Sequence, residues 1–163
     1  MEMIARTVTL PARADLSAWI AWVCFAAALV ASGGPASAVE GAAIMLAVTG
    51  FLMAVAAIQR HMRVALSASC FGEPARLVTD GPFAISRNPI YLAFLLPMAS
   101  LGAVSPVAAV LGAAAYVALT DRLVIRAEEK VLRREFGEAF DAYAARVPRW
   151  VGPRPRAVDS AAR

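Results

Sequence analysis

From Ile90 to Thr120 the chain runs for 31 residues without a charge. Built as one helix this stretch would reach roughly 46 Å, well beyond the ~30 Å hydrocarbon core of a bilayer. Gly102, Ser105 and Pro106 lie at its middle. Pro106 has no amide proton to give to a helix interior and its fixed φ suits a helix start. The stretch therefore reads as two short helices joined by a tight turn, over about 90–104 and 106–121. Each half is short for a span, so the second is expected to continue past Asp121 into the membrane interface.

Two further uncharged runs precede it, 16–32 and 41–58, each near the lower length limit for a spanning helix. Trp19 and Trp22 near the start of the first suit an interfacial belt. All 16 Lys and Arg fall within 1–15, 59–89 and 121–163, and the links 33–40 and 102–106 hold none. Four spans put the three basic segments on one side and the two uncharged links on the other, with both termini cytoplasmic by the positive-inside rule. A single span over 90–120 would split the basic segments between opposite sides. Composition agrees: 60% hydrophobic, 17% charged and a mean hydropathy of +0.63, against 45–50% and about 25% in soluble domains. The expected fold is an all-α integral membrane protein of about four transmembrane helices, with 90–104 and 106–121 as a tight hairpin, followed by a C-terminal amphipathic cytoplasmic helix. The Ala- and Arg-rich composition suits a bacterial inner membrane.

The amphipathic helix is read from Val124, Ala127, Val131, Leu132, Phe136, Phe140, Tyr143 and Val147, which recur at spacings of three and four. Gly137 is expected to cap or kink it. A single membrane domain over 1–152 and a disordered Pro- and Arg-rich tail over 153–163 follow. Ala36-Ser37-Ala38 resembles a signal-peptidase site, but the tryptophans and the distance from the first arginine favour a retained first span.

Net charge is +4 and the pI about 9.7. The basic residues flank apolar runs and no nucleic-acid-binding motif is present, so the partner is a membrane surface and not nucleic acid. No GxGxxG, GxxxxGK or HExxH is found, and no Cys/His cluster suggests a metal. Cys24 and Cys70 read as ordinary thiols. His61, the single histidine, reads as a solvated loop residue.

Two polar clusters remain: "RLVTDGPFAISRNPIY" over 76–91 and "RAEEK" over 126–130. With the topology above both sit at the cytoplasmic ends of the third and fourth spans, where carboxylates and arginines can meet at the membrane boundary. Pro89 keeps Asn88 extended and fixes how the loop enters the third helix. Each cluster also has a plainer reading. Arg87 suits a positive-inside anchor, Tyr91 a belt residue, and Glu129 a surface pair with Arg133 one turn on.

"LVTDGPFAISRNPIYLAFLL" followed, after an apolar hairpin, by "EEKVLRREFGEAFDAYAARVPRW" resembles the integral membrane methyltransferases that include the isoprenylcysteine carboxyl methyltransferases and the phospholipid N-methyltransferases. The resemblance covers 77–149. It implies S-adenosylmethionine as cofactor, bound by the regions 76–91 and 122–149, and a membrane lipid or other lipophilic molecule as methyl acceptor. Residue by residue it implies cofactor contacts from Leu77, Val78, Gly81, Pro82, Arg87, Asn88, Pro89, Tyr91, Glu128 and Glu129. Arg87 would pair with the cofactor carboxylate, while Glu128 or Glu129 would accept from its ammonium or ribose hydroxyls. Arg87 and Glu129 would be the catalytic pair, and Arg126 and Tyr91 would touch the substrate. Asn88 stands where many carboxyl-methylating relatives carry histidine, which counts against a prenylcysteine substrate. Phe83 replaces a common tyrosine and gives no hydroxyl to a ligand. The rival readings are an NAD(P)H-dependent membrane reductase of sterol-like substrates and a non-enzymatic four-span accessory protein. An ion-coupled exporter is disfavoured, because Glu40 is the only acid near a span on the outer side.

Overall fold

A computed structural model describes residues 9–67 and 77–152, and the regular structure among these is helical, with no strand. Cys70, Arg76 and the tail 153–163 lie outside the described residues. Helix α1 covers Thr9–Ala31 and helix α2 Ala38–Ser67. Between them Gly33 and Gly34 take positive φ, 83° and 75°, a conformation that glycine reaches without a Cβ penalty. Ser37 starts α2: its hydroxyl accepts the Glu40 amide at 3.2 Å, and the Glu40 carboxylate accepts the Ala36 amide at 2.6 Å. Such reciprocal capping is the behaviour of a Ser-x-x-Glu box. Helix α2 therefore extends well beyond the uncharged run 41–58, and carries Arg60, His61 and Arg63 on its last turns.

The third apolar segment is broken. Helix α3 is Pro89–Ala93, helix α4 is Leu95–Ser100, and a 3-10 turn, Leu101–Ala103, follows. The apolar helix Pro89–Ala103, close to the expected bounds 90–104, is thus made of three consecutive short pieces. Pro97 explains the first break, because it cannot donate to the carbonyl of Ala93 four residues back. Helix α5, Pro106–Thr120, begins as expected at Pro106, and the Ser105 hydroxyl caps it by accepting the Ala108 amide at 3.3 Å. It runs without interruption through a π-helical turn, Asp121–Ile125, into helix α6, Arg126–Phe136. Gly137, at φ 50°, ends α6, and helix α7, Glu138–Arg146, folds back.

Helices α1 and α5 pack together, as do α2 with α3 and α4, and α4 with α5. Small residues permit the α1–α5 approach: a Cβ on Gly112 would lie 3.0 Å from the Ala28 Cβ, and Ser17, Ala21 and Ala28 are buried. Close backbone contact through small residues is how helices associate where lipid removes the hydrophobic drive. An aromatic series runs from the exposed Trp22 through the buried Phe51, Phe94 and Tyr116 to the half-buried Trp150, with ring centroids 4.5–6.3 Å apart. The outside is apolar too. Val30 is 80% exposed and Leu46 75%, and Met45, Met53, Val107, Val110 and Leu111 also point outward. A soluble monomer does not show so much apolar surface. Ala38–Arg63 and Pro106–Phe136 are each long and apolar enough to cross a bilayer, and Leu16–Ala31 and Pro89–Ala103 are shorter apolar helices. The molecule is an all-helical membrane protein.

Candidate functional site

The loop before α3 is built by its turn residues. Gly81–Ala84 form a 3-10 turn with Pro82 near its start, and Gly81 sits at φ 56°. A Cβ there would come within 2.6 Å of the His61 ring. The imidazole on α2 therefore lies against a glycine that has no side chain, with Nε2 3.6 Å from Asp80 Oδ1. This corrects the reading of His61 as a solvated loop residue. It also shows what Gly81 does: the space beside it is taken by His61. From the other side the Tyr143 hydroxyl donates to the Phe83 carbonyl at 2.8 Å, and Leu77 packs on the cluster of Phe140, Tyr143 and Val147.

At 86–88 the loop meets the segment after α7. The Arg87 amide donates to the Pro148 carbonyl at 3.0 Å. The Ser86 hydroxyl and the Asn88 side-chain amide donate to the Arg149 carbonyl, at 3.1 and 2.9 Å. Asn88 thus has a structural task, fastening the C-terminal segment, that spacing alone did not reveal. Pro89 is buried at the first position of α3.

These contacts bring the two polar clusters together. Arg87 Nη1 lies 3.2 Å from Glu129 Oε1, and both side chains are nearly buried, at 13% and 11% exposed. Arg149 grips the same carboxylate with a fork, Nε to Oε1 at 2.9 Å and Nη2 to Oε2 at 2.5 Å, and its Nη1 reaches Asp121 Oδ1 at 2.8 Å. The neighbouring Glu128 faces about 100° away around α6 and accepts the Tyr91 hydroxyl at 2.7 Å. Tyr91 is held in turn by the Tyr116 hydroxyl, which donates to its carbonyl at 3.0 Å. Arg126 pairs with Asp121 at 2.9 Å while 60% exposed, so it touches the cluster only through that aspartate. Glu129 does not pair with Arg133, which instead bonds Asp141 on α7 at 2.7 Å.

The electrostatics follow from burial and pairing. Burial pulls the Arg87 guanidinium below its ordinary value, with the Glu129 charge opposing that pull. The bonds from Glu129 push Arg149 upward, with burial opposing. Burial pushes the Tyr143 phenol up to about 12. Arg87 Nε is buried without a hydrogen-bond partner, and its guanidinium lies 6.0 Å from the centre of the Phe140 ring, at the outer limit for a cation–π contact. An ionised guanidinium with one donor unspent, paired with the Glu129 carboxylate, is chemically suited to a zwitterionic amino-acid group. Among the described residues no group of three or more His, Cys, Asp or Glu could hold a metal ion.

The sequence gives no individual site role to Arg149, Asp121, Ser86, Tyr143 or Trp150, although Tyr143 belongs to the amphipathic stripe and Arg149 closes the region 122–149. The signal toward them is the Val-Pro-Arg-Trp stretch, 147–150, since a proline after an amphipathic helix marks where the chain must turn.

The chain is 41% identical over 75 residues to the nickel-cobalt-cadmium resistance protein NccN of Alcaligenes xylosoxydans xylosoxydans, a match covering 44% of this chain and 34% of that protein. It is also 41% identical over 73 residues to the cobalt-zinc-cadmium resistance protein CzcN of Cupriavidus metallidurans, covering 44% and 33%. The aligned part thus spans about a third of the length of these relatives. No solved structure matches the chain. The family described as phospholipid methyltransferase matches residues 39–139, from helix α2 through the loop and the glutamate pair to the start of helix α7. With well over half of its length matched, the chain belongs to the phospholipid methyltransferase family.

Proposed function

We propose that the protein transfers a methyl group from S-adenosylmethionine to a lipophilic acceptor at the cytoplasmic face of the membrane. The observation that carries the reading is the meeting of Arg87 and Glu129, 3.2 Å apart, where two apolar hairpin segments end. The proposed topology has four spans, with both termini and the site on the cytoplasmic side of a bacterial inner membrane. The cofactor then enters from water and the acceptor sideways from the bilayer.

Arg87 would take the cofactor carboxylate, its unspent donor turned to that group. Glu129 and Glu128 would accept from the ammonium and the ribose hydroxyls, with Tyr91, Asn88, Pro89, Leu77, Val78, Gly81 and Pro82 forming the surrounding wall and Arg126 lying toward an acceptor headgroup. The cofactor supplies a methyl carbon on a positively charged sulfur. The chain supplies alignment, which is the larger part of the acceleration for an in-line displacement, and a site screened from water, where a reaction that disperses charge runs faster. A carboxylate or thiolate acceptor needs no base. A phospholipid amine must lose a proton, and Glu128 is the better placed to receive it, because the oxygens of Glu129 are spanned by two guanidiniums.

A second reading, a non-enzymatic subunit of a metal-resistance system, takes its support from the names of the two relatives. One experiment separates them. Detergent-purified protein is incubated with total membrane lipid and S-adenosylmethionine deuterated at its methyl group, and the extract is analysed by mass spectrometry. The enzymatic reading predicts a labelled lipophilic product that is lost in Glu128→Ala/Glu129→Ala. No labelled product from wild type would favour the accessory reading.

A further inference from the structure

We propose that Arg149 is a positioning residue of the site, and that the strap Val147–Trp150 which carries it is a clasp closing the cofactor pocket from the C-terminal side. The strap lies beyond residue 139, where the family match ends.

The argument begins with helix register. Asp121 and Glu129 are eight residues apart on one continuous helix. In a regular α-helix that spacing leaves them about 80° out of line. The π turn at Asp121–Ile125, where the Arg126 amide reaches back five residues to the Asp121 carbonyl, takes up one extra residue. The spacing then acts as seven, and both carboxylates come to one face two turns apart. A π turn of this kind is common at functional sites. Only a planar guanidinium can exploit the result. One edge of Arg149 forks onto both oxygens of Glu129 while the third nitrogen reaches Asp121.

The strap is held equally well from the other side. Its two carbonyls at Pro148 and Arg149 accept three bonds from Ser86, Arg87 and Asn88, and Trp150 packs edge-on to Tyr116. Backbone and side chain of Arg149 therefore tie the Arg87 loop to the Glu129 helix. The Glu129 oxygen that faces Arg87, Oε1, also accepts from Arg149 Nε, so the fork fixes the orientation in which Glu129 meets Arg87. Asn88 serves the same clasp.

The cofactor part of this inference rests on the proposed function; the clasp does not. Two readouts on the full chain in detergent keep them apart. Hydrogen exchange of the peptide containing the Arg87 amide reads the clasp alone. Titration with S-adenosylmethionine reads Kd and the binding-competent fraction separately. Lysine in Arg149→Lys keeps the charge and loses the fork, so exchange at Arg87 is expected to accelerate at least fivefold and Kd to rise about tenfold, with stoichiometry unchanged. Asp121→Asn, which leaves the fork on Glu129 intact and also serves if Arg149→Lys fails to fold, is expected to raise Kd about threefold. A residue that merely stabilised the fold would lower stoichiometry and leave Kd alone, and that pattern overturns the proposal, as does unchanged exchange in both variants. If wild type binds no S-adenosylmethionine, the functional reading fails and exchange alone decides the clasp.

Discussion

Replacing Glu129 by glutamine removes one negative charge from between two guanidiniums and changes almost nothing in shape. At 3.2 Å from Arg87 Nη1 the attraction is about 5 kcal/mol at an effective dielectric of 20. Burying both groups costs part of this, and removal of one partner from a buried pair is measured at about 3–5 kcal/mol. Arg149 keeps Asp121 at 2.8 Å and is 31% exposed, so water and that aspartate relieve its loss. The expected destabilisation of Glu129→Gln is therefore about 3 kcal/mol, at the low end of that range. It is read by reversible unfolding in bicelles titrated with dodecyl sulfate, following fluorescence of the three tryptophans. Adding Arg87→Leu to Glu129→Gln should recover at least ~1.5 kcal/mol, because the stranded buried cation is then gone. The reasoning is refuted if Glu129→Gln costs less than about 1 kcal/mol, or if the double variant loses the sum of the singles.

Three further outcomes follow from particular contacts. Gly81→Ala should cost at least ~2 kcal/mol, about 1–2 of it from positive φ and the rest from the 2.6 Å approach to His61; His61→Ala in the same chain should return the steric part only, as the same unfolding titration would reveal. Tyr91→Phe removes the 2.7 Å bond to the Glu128 carboxylate and should cost about 1.5–3 kcal/mol, a loss that an unchanged unfolding midpoint would contradict. Tyr143, held up to about 12 in the folded protein against ~10 unfolded, keeps its proton when the unfolded chain has lost it. Its contribution is whole below pH 10 and is lost as pH rises from 10 through 12, so Tyr143→Phe should make the stability profile shallower in that window.

The hairpin was legible because an uncharged run too long for one span must turn somewhere, and Pro106 is the residue able to start the second helix. The meeting of the two polar clusters was legible for the same reason, since the hairpin returns their ends to one side. The break at Phe94 was less visible, because Pro97 acts on a carbonyl four residues back within an apolar run that otherwise reads as continuous. The plainer of the two readings of Glu129, a surface pair with Arg133, does not hold for a local reason: spacing on one helix offers Arg133, but Gly137 folds α7 back and gives Arg133 to Asp141. Asp121 and Arg149 were hidden by the π turn. A one-residue change of register leaves no mark on hydrophobic periodicity, so nothing in the sequence places those two side chains together.

The central claim is that one small zwitterionic donor is gripped from both clusters at once. Equilibrium binding of radiolabelled S-adenosylmethionine to the detergent-purified full chain, with NADPH measured in parallel, tests it most directly. The account predicts one S-adenosylmethionine per chain, displaced by S-adenosylhomocysteine, with affinity reduced at least tenfold by Arg87→Gln and equally by Glu129→Gln, and no uptake of NADPH. Wild-type protein that takes up NADPH in place of S-adenosylmethionine, or folded variants at both positions that bind as wild type does, would contradict it.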